Sequence, residues 1–230
     1  MYGFLSAIFL HPPAGDLLRW LREHSLDFPA WLSGKAVRAV EELAASRNDI
    51  VSLRQEYMDL FAVPTGRYVS PFEDVYQDEG TGGARERGLL LGQQAIAVRR
   101  LYRQAGAEMA RECRELPTHI GVELSFMAFL CEQEMEAISR GEATIAATEA
   151  HSETVAPGRY RALQRQFLQN HLNVWFPRLR QTIQAKARSP WYPALALITE
   201  EFLALDAVEL VNHSLSPGDA RPRAAAIASI

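Results

Sequence analysis

The sequence predicts an all-α protein, a single helical bundle built around a buried central helix at about residues 118–139. Three observations lead there. Apolar residues recur at helical spacing through most of the chain, and no segment shows the apolar-polar alternation of a half-buried strand. The stretch ELPTHIGVELSFMAFLCEQEMEAI, Glu115 to Ile138, leaves no room for a broad polar face through its middle. A helix apolar on several sides needs partners on several sides, and single-stripe helices elsewhere supply them.

Within the central helix, Ile120, Leu124, Met127, Cys131 and Met135 form one face, while Phe126, Phe129 and Leu130 widen it. Thr118 after Pro117 is the expected N-cap, and Arg140-Gly141 the expected stop. Glu132, Glu134 and Glu136 are expected to turn the last turns polar.

The chain opens with an apolar helix, Tyr2 to Leu10, closed by Pro12-Pro13. It lacks the basic start and small-residue cleavage site of a secretion signal. A second helix is expected from Gly15 to about His24 with Leu17, Leu18, Trp20 and Leu21 inward, and a third after Ser33 through Val37, Val40 and Leu43. From Asn48, the spacing of Ile50, Leu53, Tyr57, Leu60 and Phe61 predicts a helix that Pro64 ends. A further helix is expected from about Ala84 to Gln104, with Leu90, Ala97 and Leu101 inward, Arg99, Arg100 and Arg103 outward, and Gly106 as its stop. Residues 142–155 read as a connector. Tyr160, Leu163, Phe167, His171 and Val174 resume helical spacing, and Pro177 either kinks that helix or starts the next. The last helix starts near Ser189-Pro190 and carries Trp191, Leu195, Ile198, Phe202, Leu205 and Val208 inward to about Asn212. One domain over residues 1–213, followed by a frayed tail over 214–230, is the expected organisation.

Residues 62–83 break the helical rhythm. They form a long loop rich in Gly and Pro and carrying Tyr68, Phe72 and Tyr76. A loop of this length is usually functional or disordered, and its aromatic content argues against disorder. It is either an aromatic plug on the core or a contact surface.

Composition excludes several classes. Hydrophobic residues at 48% and charged residues at 23% are ordinary for a globular protein, and a net charge of -4 offers nothing to a nucleic acid and suits a basic partner. No run reaches the roughly 18–20 apolar residues of a membrane span. Cys113 and Cys131 have neither metal nor disulfide spacing, which favours a reducing compartment and a cytoplasmic location. The glycines at 80, 82, 83 and 88 lack a preceding strand and a phosphate-binding motif, and the six histidines form no HxxxH or HExxH pair. No metal or cofactor is expected. Glu115, His119 and Glu123 fall close together at the start of the central helix. They are either ordinary polar residues at a helix start or acid-base candidates.

EYMDLFAVP (Glu56 to Pro64), PFEDVY (Pro71 to Tyr76) and ELPTHIGVELSFMAFL (Glu115 to Leu130) together resemble the TorD/DmsD/NarJ family of redox-enzyme maturation chaperones. YGFLSAIFLHPP and FLQNHLNVWFPRL extend the resemblance, in order, over most of the chain. It implies a TorD-like all-helical cytoplasmic chaperone, not an enzyme. Such a chaperone binds the catalytic subunit of a molybdopterin-dependent oxidoreductase, often by its twin-arginine signal peptide, and holds it until cofactor insertion. Tyr57, Leu60, Phe61 and Pro64 match a motif of structural character. Pro71, Phe72, Glu73 and Tyr76 match the loop motif, and Glu115, Pro117 and His119 match the motif at the central helix. Thr118 stands where that motif usually has Asp. The expected partner-binding set is Tyr68, Phe72, Glu73, Asp74, Tyr76, Glu115, Pro117, Thr118, His119 and Glu123. Glu115, Glu123 or Asp74 is expected to supply the charge missing at Thr118; otherwise the partner is not presented through a standard twin-arginine pair. Monomer and homodimer both fit. Two other readings stay open: a small-molecule or nucleotide-handling enzyme using Glu115, His119 and Glu123 in a helical cleft, and a structural subunit of the molybdoenzyme.

Overall fold

The computed structural model describes residues 1–16, 19, 33–45, 49–64, 66–76, 92–140 and 157–212. The body of the helix expected from Gly15, the loop beyond residue 76, residues 84–91, the connector and the tail lie outside them. Among the described residues the regular structure is helical, and the one isolated β-bridge joins Phe72 to His119. The helices are α1 (Tyr2–Leu10), α2 (Gly34–Ala45), α3 (Ile50–Tyr57), α4 (Gln93–Ala105), α5 (Ile120–Ser139), α6 (Pro157–Phe167), α7 (Asn173–Lys186) and α8 (Trp191–Asn212). A π-helical turn, Met58–Ala62, extends α3, another, Leu168–Leu172, joins α6 to α7, and a 3-10 turn, Glu73–Val75, lies in the loop.

The long apolar helix is α5, and it is central as its composition requires. It packs against α1 and α6, while α8 receives α2 and α7. Ile120, Leu124, Met127 and Leu130 are fully buried, and Phe126 joins the aromatic cluster of Tyr102 and Phe167. Trp175, Trp191, Phe9, Phe167 and Phe176 are also fully buried, each adding about 1.5–3 kcal/mol by removing apolar surface from water.

Buried polar groups fasten the helices in pairs. The Tyr2 hydroxyl donates to Asp206 at 2.7 Å, and the Tyr57 hydroxyl to the Phe9 carbonyl at 3.0 Å. Glu56 accepts the backbone N–H groups of Arg188 and Ser189, so a carboxylate on α3 satisfies the turn that opens α8. Glu134 accepts from Arg161 at 2.7 Å and from Gln164 at 2.8 Å, joining α5 to α6.

Several sequence expectations shift for identifiable reasons. Met135 is 62% exposed, because the inward face of the last turns of α5 runs through Leu130, Glu134 and Ala137. Glu134 is therefore a buried clamp and no part of a solvated end. Val174 is exposed because the π-turn inserts one extra residue and passes the inward position to Trp175. Val208 is exposed, and the buried position on that turn of α8 belongs to Asp206. Pro177 lies inside α7 and neither starts nor ends it. Helix α4 is described from Gln93, with Gly92 at its N-cap, and the start expected near Ala84 lies outside the described residues; Gly106, at φ 73°, closes it in the left-handed conformation that glycine adopts without strain.

The crossing of α1 over α5 depends on Gly121. The Ser6 hydroxyl donates to the Gly121 carbonyl at 2.7 Å. A Cβ at Gly121 would lie 2.5 Å from Leu10 Cγ and 3.1 Å from the Ser6 carbonyl oxygen. Gly121→Ala is expected to lower stability by about 1–3 kcal/mol despite the better helix propensity of Ala, read as a drop in thermal or urea midpoint. An unchanged midpoint would show that α1 yields at no cost.

Candidate functional site

The aromatic loop is fastened to the start of α5. The Glu73 N–H donates to the Thr118 carbonyl at 2.9 Å, and the Ile120 N–H donates to the Pro71 carbonyl at 2.8 Å. This pair makes the isolated bridge and satisfies an amide at the helix start that has no partner inside the helix. Tyr102 of α4 supports it from below, its hydroxyl donating to the Pro117 carbonyl at 2.9 Å.

The cap of α5 is His119, not Thr118. His119 Nδ1 accepts the Gly121 N–H at 3.0 Å, which leaves the ring proton of the neutral imidazole on Nε2, 4.0 Å from Glu115 Oε2. The ring meets Phe72 edge-on at 5.3 Å. Burial pushes the His119 pKa down to about 4, so the ring is neutral at pH 7 and its contact with Glu115 is not an ion pair. Thr118 is fully buried and donates its hydroxyl to Asp74 at 2.5 Å.

Beneath the loop lie two buried carboxyl groups. His171 Nδ1 faces both oxygens of Glu73, at 2.9 and 3.0 Å, and Trp175 Nε1 donates to Glu123 at 3.0 Å. Burial, and next the charge of neighbouring Glu73, raise the Glu123 pKa well above the usual carboxyl range. Glu123 therefore holds its proton while Glu73 is met by His171.

The ten expected contact residues thus separate into two layers. Glu73, Asp74, Pro117, Thr118, His119 and Glu123 have buried side chains and build the loop's seat. Tyr68, Phe72 and Tyr76 are half-buried, and Glu115 is exposed. Glu115 and His119 come together as their spacing suggests, whereas Glu123 turns inward to Trp175. Asp74 and Glu123 are accordingly not placed to offer a surface charge in place of the usual Asp at 118; Glu115 is. His171 and Trp175 were not among the expected site residues. Their signal was available: a His on an apolar stripe and a core Trp each need a buried hydrogen-bond partner.

Among the described residues no group of His, Cys, Asp and Glu is arranged to hold a metal ion, and no helix is long and apolar enough to cross a membrane. A separate open cleft of about 260 Å³ lies between α2, α7 and α8, lined by Lys35, Arg38, Glu42 and Arg180. It shares no residue with the loop's seat.

What fold and site define is a helical protein whose most elaborate polar construction holds a loop in place. Comparison with known proteins places it further. The family described as nitrate reductase delta subunit matches residues 32–181. A perchlorate reductase assembly chaperone from Dechloromonas aromatica is 30% identical over 108 residues, 47% of this chain and 42% of that protein. A selenate reductase assembly chaperone from Thauera selenatis is 28% identical, over 86% of this chain and 84% of that one. The chaperone TorD of Shewanella pealeana is 26% identical, over 90% and 86%. A structure described as a redox enzyme maturation protein from Archaeoglobus fulgidus is 17% identical, with a TM-score of 0.48 and coverage of 89% of this chain and 94% of its own. The chain belongs to the nitrate reductase delta subunit family, the TorD/NarJ family of molybdoenzyme maturation chaperones.

Two pH effects follow from the seat. A carboxyl whose pKa is higher folded than unfolded adds stability that is whole below about pH 4.5 and is lost as pH rises toward the folded value. Glu123→Gln keeps an acceptor for Trp175 and cannot ionise. It is expected to flatten the decline in melting temperature between pH 5 and pH 8; an unchanged slope would show that Glu123 is not the titrating group.

His119 has the opposite sign. Its depressed pKa adds stability that is whole above pH 6.5 and lost as pH falls to about 4, at most roughly 3 kcal/mol. His119→Asn preserves a capping acceptor and should remove that acid-side loss, whereas His119→Ala should cost about 1 kcal/mol even at pH 7. Melting curves at pH 5 and pH 7.5 check both.

Proposed function

We propose that this chain is a dedicated cytoplasmic chaperone for the catalytic subunit of a molybdopterin-dependent oxidoreductase. It acts by reversible binding and holds the subunit until cofactor insertion and assembly. The observation that carries the reading is the fastening of the aromatic loop to the start of α5, within a chain whose relatives are named assembly chaperones. The contact layer is Tyr68, Phe72, Tyr76 and Glu115. These residues combine apolar ring surface with an exposed carboxylate.

A twin-arginine signal peptide presents guanidinium groups followed by an apolar segment, and this layer offers a match to both parts. Glu115 would meet an arginine at the surface, where the pair costs little desolvation. The seat residues act beneath, by keeping the rings in place.

A tagged pull-down from the native host, with mass spectrometry and molybdenum analysis, tests the reading. Recovery of a molybdoenzyme catalytic subunit without its metal is the expected result. Recovery of the loaded enzyme would make this chain a structural subunit, and recovery of no such subunit would overturn the proposal. Phe72→Ala should weaken capture at least tenfold, about 1.4 kcal/mol, while lowering the melting temperature by only about 2–4 °C. Loss of stability in proportion to loss of binding would make Phe72 a core residue.

A further inference from the structure

Between Gly66 and Pro71 the loop has no regular structure, yet it is held along much of its length by one helix. His171, Trp175, Arg178, Thr182 and Lys186 follow one another at intervals of four, three, four and four, which places them on a single stripe of the π-turn and α7. Every member engages the loop. His171 meets the Glu73 carboxylate, and Trp175 stacks on the Tyr76 ring at 5.5 Å with 25° between planes. Arg178 Nη1 donates to the Tyr76 carbonyl at 2.7 Å, and Thr182 is a hydrogen-bond partner of the Tyr76 side chain. Lys186 Nζ donates to the Tyr68 carbonyl at 2.6 Å.

Two features set this apart from ordinary core packing. Arg178 is exposed and Lys186 is half-buried, so neither fills the interior. Each uses a charged donor on a backbone carbonyl, a contact indifferent to the loop's side chains and sensitive to where its backbone runs. The carbonyls they hold belong to Tyr68 and Tyr76, the two aromatic residues on either side of Phe72. A binding loop held in its bound shape before contact avoids the ordering cost at the moment of contact.

We propose that Arg178 and Lys186 are positioning residues for the partner surface: they hold the backbone at Tyr76 and Tyr68 so that Tyr68, Phe72 and Tyr76 form one prearranged contact face. This rests on the functional reading above and adds residues to it that touch the loop and need not touch the partner. The π-turn has a role in the arrangement. It carries the bonded stripe from His171 on to Trp175 and α7, so one helical face serves both ends of the loop.

The test uses the full-length chain and, as probe, the metal-free catalytic subunit recovered in the pull-down, immobilised for binding kinetics. The paired replacement Arg178→Met with Lys186→Met keeps the aliphatic stems and removes the charged donors. If the freed loop holds its arrangement a tenth of the time, apparent affinity falls about tenfold, chiefly through slower association. Faster amide hydrogen exchange over residues 66–76 and a melting temperature nearly unchanged are expected alongside. The paired swap Arg178→Lys with Lys186→Arg retains cationic N–H donors and should restore most of the association rate. Unchanged exchange in the Met pair would show that the stripe does not hold the loop. Faster exchange with unchanged affinity would show that the loop's arrangement does not govern binding. Either result overturns the inference while leaving the chaperone reading intact. Failure of the unaltered chain to bind the subunit overturns that reading instead, and with it the role assigned to the loop.

Discussion

The structure depends on a short backbone junction in which residues 71–73 and 118–120 exchange two hydrogen bonds. It joins parts of the chain more than forty residues apart, and it does so at the start of the central helix. Its two bonds come from backbone groups, so they fix position without demanding a particular side chain. The side chains around it then remove alternatives. Phe72 rests on His119, Asp74 takes the Thr118 hydroxyl, and Glu73 reaches down to His171. Moving the loop by one residue along α5 would leave several of these buried polar groups unpaired, each at a cost of about 1–3 kcal/mol or more for a charge.

That junction explains how much was legible beforehand. Periodicity was enough to find α3 and α5, because Leu53, Tyr57, Leu60 and Phe61, or Ile120, Leu124 and Met127, are buried for the reason their spacing suggests. It failed where the helix itself departs from regular geometry. The π-turns at Met58–Ala62 and Leu168–Leu172 have no signature in spacing, so the inward assignment of Val174 missed by one residue. It failed again for polar residues whose partners are distant in sequence. Glu134 and Glu123 read as solvated or functional groups because nothing local reveals Arg161 or Trp175. For the same reason the site was legible as a set of motifs and not as two layers: a motif marks which residues belong together and is silent on which of them face outward.

The layering also bears on Thr118, which occupies a position where the resembled family usually carries Asp. In isolation the change reads as the loss of a charge that could meet an arginine. In place, the residue at 118 is fully buried against Asp74, close above a cluster that already contains Glu73 and Glu123. A carboxylate there would be one more acceptor among acceptors, and two like charges at hydrogen-bond distance cannot both stay ionised in a desolvated pocket. A hydroxyl instead donates, and gives Asp74 a hydrogen-bond partner. The substitution therefore belongs with the electrostatics of the seat. Outward charge at this end of the molecule passes to Glu115, one turn ahead of His119 and at the positive end of the α5 dipole, where a carboxylate is favoured. A partner that carries arginine would meet an exposed carboxylate next to a histidine kept neutral by its burial.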